Sequence, residues 1–190
     1  MKPQSADLRT IRTHKAIRSA LETMILTKDF NCITVKELAE IAGINRKTFY
    51  LHYDSLDDLF GELEDEIVDE FAQSEHLKTT ESNETVTRDF FRVLFRQPEL
   101  HKRLICSPGY FPVFRRVQVK LFRMYKEHGF DFALPPEYES LLIAYFCTSI
   151  SLYQQWVTDG EQLSPDALTD FAVALLCDGL IERRAGGKHH

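Results

Sequence analysis

The stretch ITVKELAEIAGINRKTFYLHYDSLDDLF, residues 33–60, decides the fold. It opens on a capping box, TVKE at 34–37. There the Thr34 hydroxyl can accept from the Glu37 amide, and the Glu37 carboxylate can reach back. Val35, Leu38, Ala39 and Ala42 give the helix that follows its apolar side. Gly43 permits a left-handed turn, and Asn45 can cap a next helix. That next helix, NRKTFYLHY at 45–53, has Arg46 and Lys47 in its first turn and Phe49, Tyr50 and Tyr53 close behind. Ser55 then caps a longer helix, with Asp57 and Asp58 near the positive end of its dipole. Leu56, Leu59, Phe60, Leu63 and Ile67 form its buried stripe.

Upstream, Ile17, Ala20, Leu21, Met24 and Ile25 follow the spacing of an amphipathic helix, with Arg12, Lys15 and Arg18 off the apolar arc. Three helices with a tight Gly turn between the second and third make a helix-turn-helix. In that motif the last helix enters the DNA major groove and its first residues meet base edges. Arg46 and Lys47 suit this position, since an arginine gripping guanine O6 and N7 is worth about 1–3 kcal/mol of discrimination. Thr48, Tyr50 and His52 have the hydroxyls and ring nitrogens that suit phosphate oxygens. Phe49 and Tyr53 are expected to face inward. The plainer reading of 45–53 is a solvated helix end with aromatic packing. The capping box, the Gly turn and the charge distribution favour DNA. Residues 1–53 hold nine Lys/Arg and five Asp/Glu, a net of +4, while 54–190 hold fourteen and twenty-four, a net of −10. A basic head on an acidic body fits a head that meets a polyanion.

The 190-residue chain is 44% hydrophobic and 27% charged, enough for a sizeable core. Nearly every segment reads as helix and none as a sheet-forming strand, so the expectation is an all-α protein of about nine helices. The expected domains are a DNA-binding head at 1–53 and a helical body at 54–188. Polar SEHLKTTESNET, residues 74–85, reads as a loop. The chain has no signal peptide and no apolar run long enough to cross a bilayer, which points to the cytoplasm. The four scattered cysteines form no C-x-x-C pair and read as reduced thiols. His101 and Cys106 have no metal-ligand spacing, so neither metal nor cofactor is expected. No phosphate loop, nucleophile elbow or H-E-x-x-H suggests an enzyme.

The last two helices are apolar nearly all round, and such helices must be buried nearly all round. Tyr145, Ser149, Leu152, Tyr153 and Trp156 on one, with Leu168, Phe171 and Leu175 on the other, are the expected homodimer interface, as half of a two-fold four-helix bundle. Burial wholly inside one subunit is the alternative. Phe91, Phe95, Tyr110, Phe114, Phe122, Tyr125 and Phe146 could line an apolar cavity for a small molecule, or be plain core.

Residues 33–60 resemble the DNA-binding head of the TetR family of bacterial repressors. Thr34, Leu38, Ala39, Ala42, Gly43, Ile44, Thr48, Phe49, Tyr50, His52, Tyr53, Ser55 and Leu59 fall in step with that family's pattern. The resembling stretch is about a seventh of the chain. It implies a transcriptional repressor that binds palindromic double-stranded DNA as a homodimer and answers to a small-molecule effector. It also implies that Arg46 and Lys47 read bases, with Asn45 at the head of their helix. Thr34 and Lys36 would touch the DNA backbone from the preceding helix. Thr48, Tyr50 and His52 would touch phosphate, and Leu51 would sit in the groove. Two positions depart from the pattern: Leu56 replaces a lysine that usually meets phosphate, and Asp29 stands where a glycine is common. QQWVTDGEQLSPDALTDF, residues 154–171, is similar to the branch containing dihydroxyacetone-kinase regulators, some of whose members act as co-activators. A DNA-binding dimer without a ligand, acting through a protein co-regulator, is the second reading.

Overall fold

The computed structural model describes residues 5–73, 83–128 and 139–178, with side chains left undescribed at 5–7, 83, 139–146 and 178. Nine α-helices run through these residues: α1 Ser5–Thr27, α2 Val35–Ile41, α3 Arg46–Phe49, α4 Leu56–Ala72, α5 Asn83–Phe95, α6 Glu99–Cys106, α7 Phe111–Glu127, α8 Glu139–Thr158 and α9 Pro165–Val173. Short 3-10 turns stand at Phe30–Cys32 and Pro108–Tyr110, and a π-turn at Ala174–Asp178 extends α9. No strand occurs among the described residues. The protein is all-α.

The chain forms two compact units. One takes the chain as far as Glu66 together with Pro98–Phe114, and the other takes Ile67–Gln97 together with the chain from Arg115 on. The packing line thus falls inside α4 and α7, and the unit that holds 45–53 also holds α6.

In the first unit, α1 packs on α2 and on α6. Ile17, Leu21, Met24 and Ile25 of α1, Leu38 of α2, Phe49 of α3 and Leu59, Phe60 and Leu63 of α4 are all fully buried. The far end of α1 is closed by residues distant in sequence. Tyr110 donates its hydroxyl to the Lys28 carbonyl at 2.6 Å, and Arg103 Nε donates to the Ile25 carbonyl. These are orphan helix-end acceptors that need a donor. Burial pushes the Tyr110 phenol up to about 12, with Arg103 beside it pulling the other way. Asp29, at the departure from the family pattern, starts the 3-10 turn in an extended conformation. Its side chain lies over Gly109, where an added Cβ would come within 2.3 Å of it. Any side chain at 109 would therefore collide with Asp29, and the facing turn carries glycine there.

In the second unit α5, α8 and α9 pack on one another. A relay of aromatic rings joins the end of α4, α5 and α8, while Arg88 of α5 pairs with Asp170 of α9. Phe71 lies 4.9 Å from Phe90, Phe91 lies 6.0 Å from Phe95, and Phe95 touches both Tyr153 and Trp156.

Candidate nucleic-acid interface

The helix pair α2–α3 is built from local hydrogen bonds. The Thr34 hydroxyl accepts from the Glu37 amide at 3.3 Å, as the capping box requires. The second half of the box does not form: the Glu37 carboxylate instead takes Lys28, nine residues upstream. That pairing ties α2 to the end of α1 and replaces a local bond with one that closes the turn between them. Gly43 adopts φ +65°. Asn45 Oδ1 then accepts from the Lys47 amide at 2.9 Å and starts α3. The assigned helix is short, but Tyr53 N still reaches the Phe49 carbonyl at 3.0 Å, so helical turns continue to residue 53. Ser55 caps α4 through the Asp58 amide, and the Asp58 carboxylate returns to the Asp54 amide.

Residues 45–53 divide cleanly by exposure. Phe49 and Tyr53 are buried, with their rings 5.6 Å apart. Asn45, Arg46, Lys47, Tyr50 and Leu51 are exposed, Leu51 to 82%. Arg46 and Lys47 have no ion pair among the described residues, although acidic side chains are abundant in this chain. Thr34 and Lys36 are also exposed, whereas Thr48 and His52 are partly covered. The segment therefore offers two unpaired cations, a phenol and an aliphatic side chain from one short helix.

Tyr53 is the anchor. Its hydroxyl donates to the Glu62 carboxylate at 3.0 and 3.1 Å, and it lies 2.9 Å from His14 Nδ1. Burial first, and Glu62 second, push the phenol well above its ordinary value. One side chain of residues 45–53 is thus held by both α1 and α4. Its aromatic ring was legible in the sequence as a core residue. Its partners His14 and Glu62 were not, because they lie 39 and 9 residues away.

The expected ligand and dimer residues fall into several classes. Tyr110 and Phe114 belong to the first unit, while Phe91, Phe95, Phe122 and Tyr125 belong to the second. Tyr110 is fully buried and spends its hydroxyl on α1. Phe91, Phe122 and Tyr125 are buried in the interior of the second unit, and burial pushes the Tyr125 phenol well up. Tyr145 and Phe146 lie where side chains are outside the described residues. Tyr153 and Leu168 are buried within their own unit, at 2% and 4% exposure. For these two, burial inside the subunit, the alternative open at the sequence level, is what the packing gives. Leu152, Trp156 and Leu175 are partly exposed, Ser149 is partly covered, and Phe171 is exposed.

An open apolar groove of about 470 Å³ lies between α8 and α9, lined chiefly by Leu152, Trp156, Leu163, Leu168 and Phe171. The W-x-x-x-G…S-P sequence shapes its rim. Trp156 donates its indole N–H to the Leu163 carbonyl at 2.8 Å, Gly160 turns left-handed at φ +80°, and Ser164 caps α9 ahead of Pro165. Leu163 and Phe171 leave 51% and 43% of their surface exposed.

Among the described residues no three His, Cys, Asp or Glu side chains are placed to hold a metal ion. No described helix is long and apolar enough to cross a membrane.

No family model and no curated protein matches this sequence. Solved structures do match. NalD of Pseudomonas aeruginosa, the secondary repressor of the MexAB-OprM multidrug efflux pump, is 16% identical over 90% of this chain and 97% of its own, with a TM-score of 0.59. Lin0861 of Listeria innocua is 21% identical over 97% of this chain and 95% of its own, with a TM-score of 0.58. A TetR family transcription regulator from Marinobacter aquaeolei is 20% identical over 86% of this chain and 96% of its own, with a TM-score of 0.51.

Proposed function

From a chain whose fold is that of the TetR-family transcription regulators, we propose a DNA-binding transcriptional regulator that works as a homodimer. Residues 1–53 are its DNA-binding head and 54–188 its dimerising and effector-binding body. The observation that carries the reading is the division of residues 45–53: Phe49 and Tyr53 buried, Arg46, Lys47, Tyr50 and Leu51 exposed, and both cations unpaired among the described residues.

Arg46 and Lys47, in the first turn of α3, read base edges, with Asn45 setting the start of the helix. Leu51 meets an apolar group in the major groove, such as a thymine methyl. Thr34 and Lys36 on α2, with Thr48, Tyr50 and His52, hold the phosphates that fix register. Leu56 offers no charge at the start of α4, so the electrostatic share of binding falls on Lys36 and the exposed cations of α1. Two heads related by a two-fold axis read a palindrome with half-sites one helical turn or a multiple apart.

The groove between α8 and α9 is the face that meets the second subunit. Phe171, Leu163, Trp156 and Leu152 supply its apolar contact, with Ser149 and Leu175 flanking it. Tyr153 and Leu168 shape this face from beneath. A small-molecule effector acts by binding one spacing of the heads better than another, and repression is released when the favoured spacing no longer fits the operator.

Arg46→Ala tests the central assignment. It is expected to cost about 1–3 kcal/mol on a selected duplex and to relax sequence preference. Equal weakening on every sequence would make Arg46 a phosphate contact. Unchanged affinity would remove 45–53 from the interface.

A further inference from the structure

A line of hydrogen bonds runs behind the recognition segment, and its two histidines have a role that DNA contact by itself does not require. Tyr53 has a single hydroxyl proton, and it goes to Glu62. An ionised carboxylate only accepts, so the short contact between Tyr53 and His14 must use a proton on His14 Nδ1.

The ring of His52 stands edge-on to that of His14, with centroids 4.7 Å apart. Two imidazolium rings at that separation repel, so the free protein resists charging both. Burial, and then His14, hold His52 below the ordinary histidine range. The charged and titratable groups around the pair are few. Tyr53 stands against His14, and the charged groups that act on Tyr53 are Arg18 of α1 and Glu62 and Asp58 of α4. Arg18 is already bound to Glu22 and Glu66. Glu62 is engaged by Tyr53. No carboxylate is seen in direct contact with His52 among the described residues.

We propose that the His14–His52 pair couples DNA binding to proton uptake: a phosphate oxygen brought to His52 draws a proton onto its ring, and the His14 ring beside it shifts the pH at which this happens. The inference rests on the reading of His52 as a phosphate contact. The proton comes from the buffer, one N–H bond forms on His52, and no other covalent bond changes. His14 is a positioning residue in this scheme, since it acts through Tyr53 and through its neighbour's charge.

The sign follows from linkage. A group that binds its proton more tightly in the complex than in the free protein makes the complex tighter as pH falls. The gain is absent above the pKa in the complex and complete below the pKa in the free protein, which for His52 lies on the acid side of the usual value. One proton gives a slope approaching tenfold per pH unit at its steepest.

The experiment is fluorescence anisotropy with the full chain and a labelled duplex recovered by selection, at constant ionic strength, between about pH 8 and pH 5.5. Wild type is expected to bind more tightly as pH falls. His52→Gln is expected to bind more weakly with that slope lost. His14→Gln keeps a donor for Tyr53 and is expected to move the rise to higher pH. The imidazole NMR titration of His52 in DNA-free protein is expected to move the same way in His14→Gln, a readout that needs no DNA and confirms that the variant is folded. A slope that survives in His52→Gln, or a rise and a titration unmoved in His14→Gln, would overturn the coupling while leaving DNA binding intact. Failure to bind any duplex at any pH would overturn the DNA-binding reading and the coupling with it.

Discussion

In the unit that holds residues 34–53, α2, α3 and α4 each begin on a side-chain cap, from Thr34, Asn45 and Ser55. In the unit that holds α5, α8 and α9, only α9 among these begins on a side-chain cap among the described residues, from Ser164, and the contacts joining α4, α5 and α8 include a run of rings: Phe71, Phe90, Phe91, Phe95, Tyr153 and Trp156. Caps fix where a helix starts and at what angle the chain enters it. Ring stacking fills space and tolerates several geometries. On the proposed function, a head that matches the spacing of base edges needs the first kind of order, and a body that meets another subunit can use the second.

The contrast can be broken at its strongest point first. Phe49 is fully buried beneath the exposed cations. Phe49→Ala should cost about 3–5 kcal/mol in denaturant unfolding, as cavity formation does elsewhere. A loss below about 1 kcal/mol would mean that α3 is not seated on this core. Phe171→Asp comes next. Placing a charge in the apolar groove should cost the dimer about 2 kcal/mol or more, read as a shift to monomer in concentration-dependent light scattering. A mutant that stays dimeric would send the interface elsewhere. Trp156 is a poorer probe, because its ring also packs on Phe95 and Tyr153 and its loss would damage the subunit itself.

Tyr110→Phe is expected to cost about 1–3 kcal/mol, since it strips the donor from the Lys28 carbonyl while leaving ring packing intact. An unchanged melting curve would show that solvent satisfies the end of α1. Asn45→Ala removes only the cap of α3 and should cost about 1 kcal/mol of stability. If the caps serve geometry as argued, the same substitution should weaken binding to a selected duplex by more than its effect on stability.

The sequence was most legible where the physics is local. Thr34 to Glu37, Asn45 to Lys47 and Ser55 to Asp58 span two or three residues, and each cap could be read from residue type and spacing. The left-handed turn at Gly43 was legible for the same reason. The capping box was half right, because a lysine nine residues upstream outcompeted the local partner for Glu37. Longer connections could not be read. Nothing near Tyr110 signals that its hydroxyl closes a helix 82 residues earlier, so it looked like any aromatic that could line a cavity. Tyr153 and Leu168 show a second limit. An apolar stripe says that a side chain is covered, but not whether its own subunit or a partner covers it. Leu163, outside the helical stripes, was missed at the groove. Its signal was the Trp156-to-Ser164 loop, which a tryptophan side chain bridges through its indole N–H.

The most direct test of the central claim is selection from a random duplex library near physiological salt, with wild type beside the Arg46→Ala/Lys47→Ala double variant. An enriched palindrome from wild type that is lost in the double variant is the predicted result, and it would place base reading on the first turn of α3. Enrichment of the same palindrome by both proteins, or by neither, would contradict it.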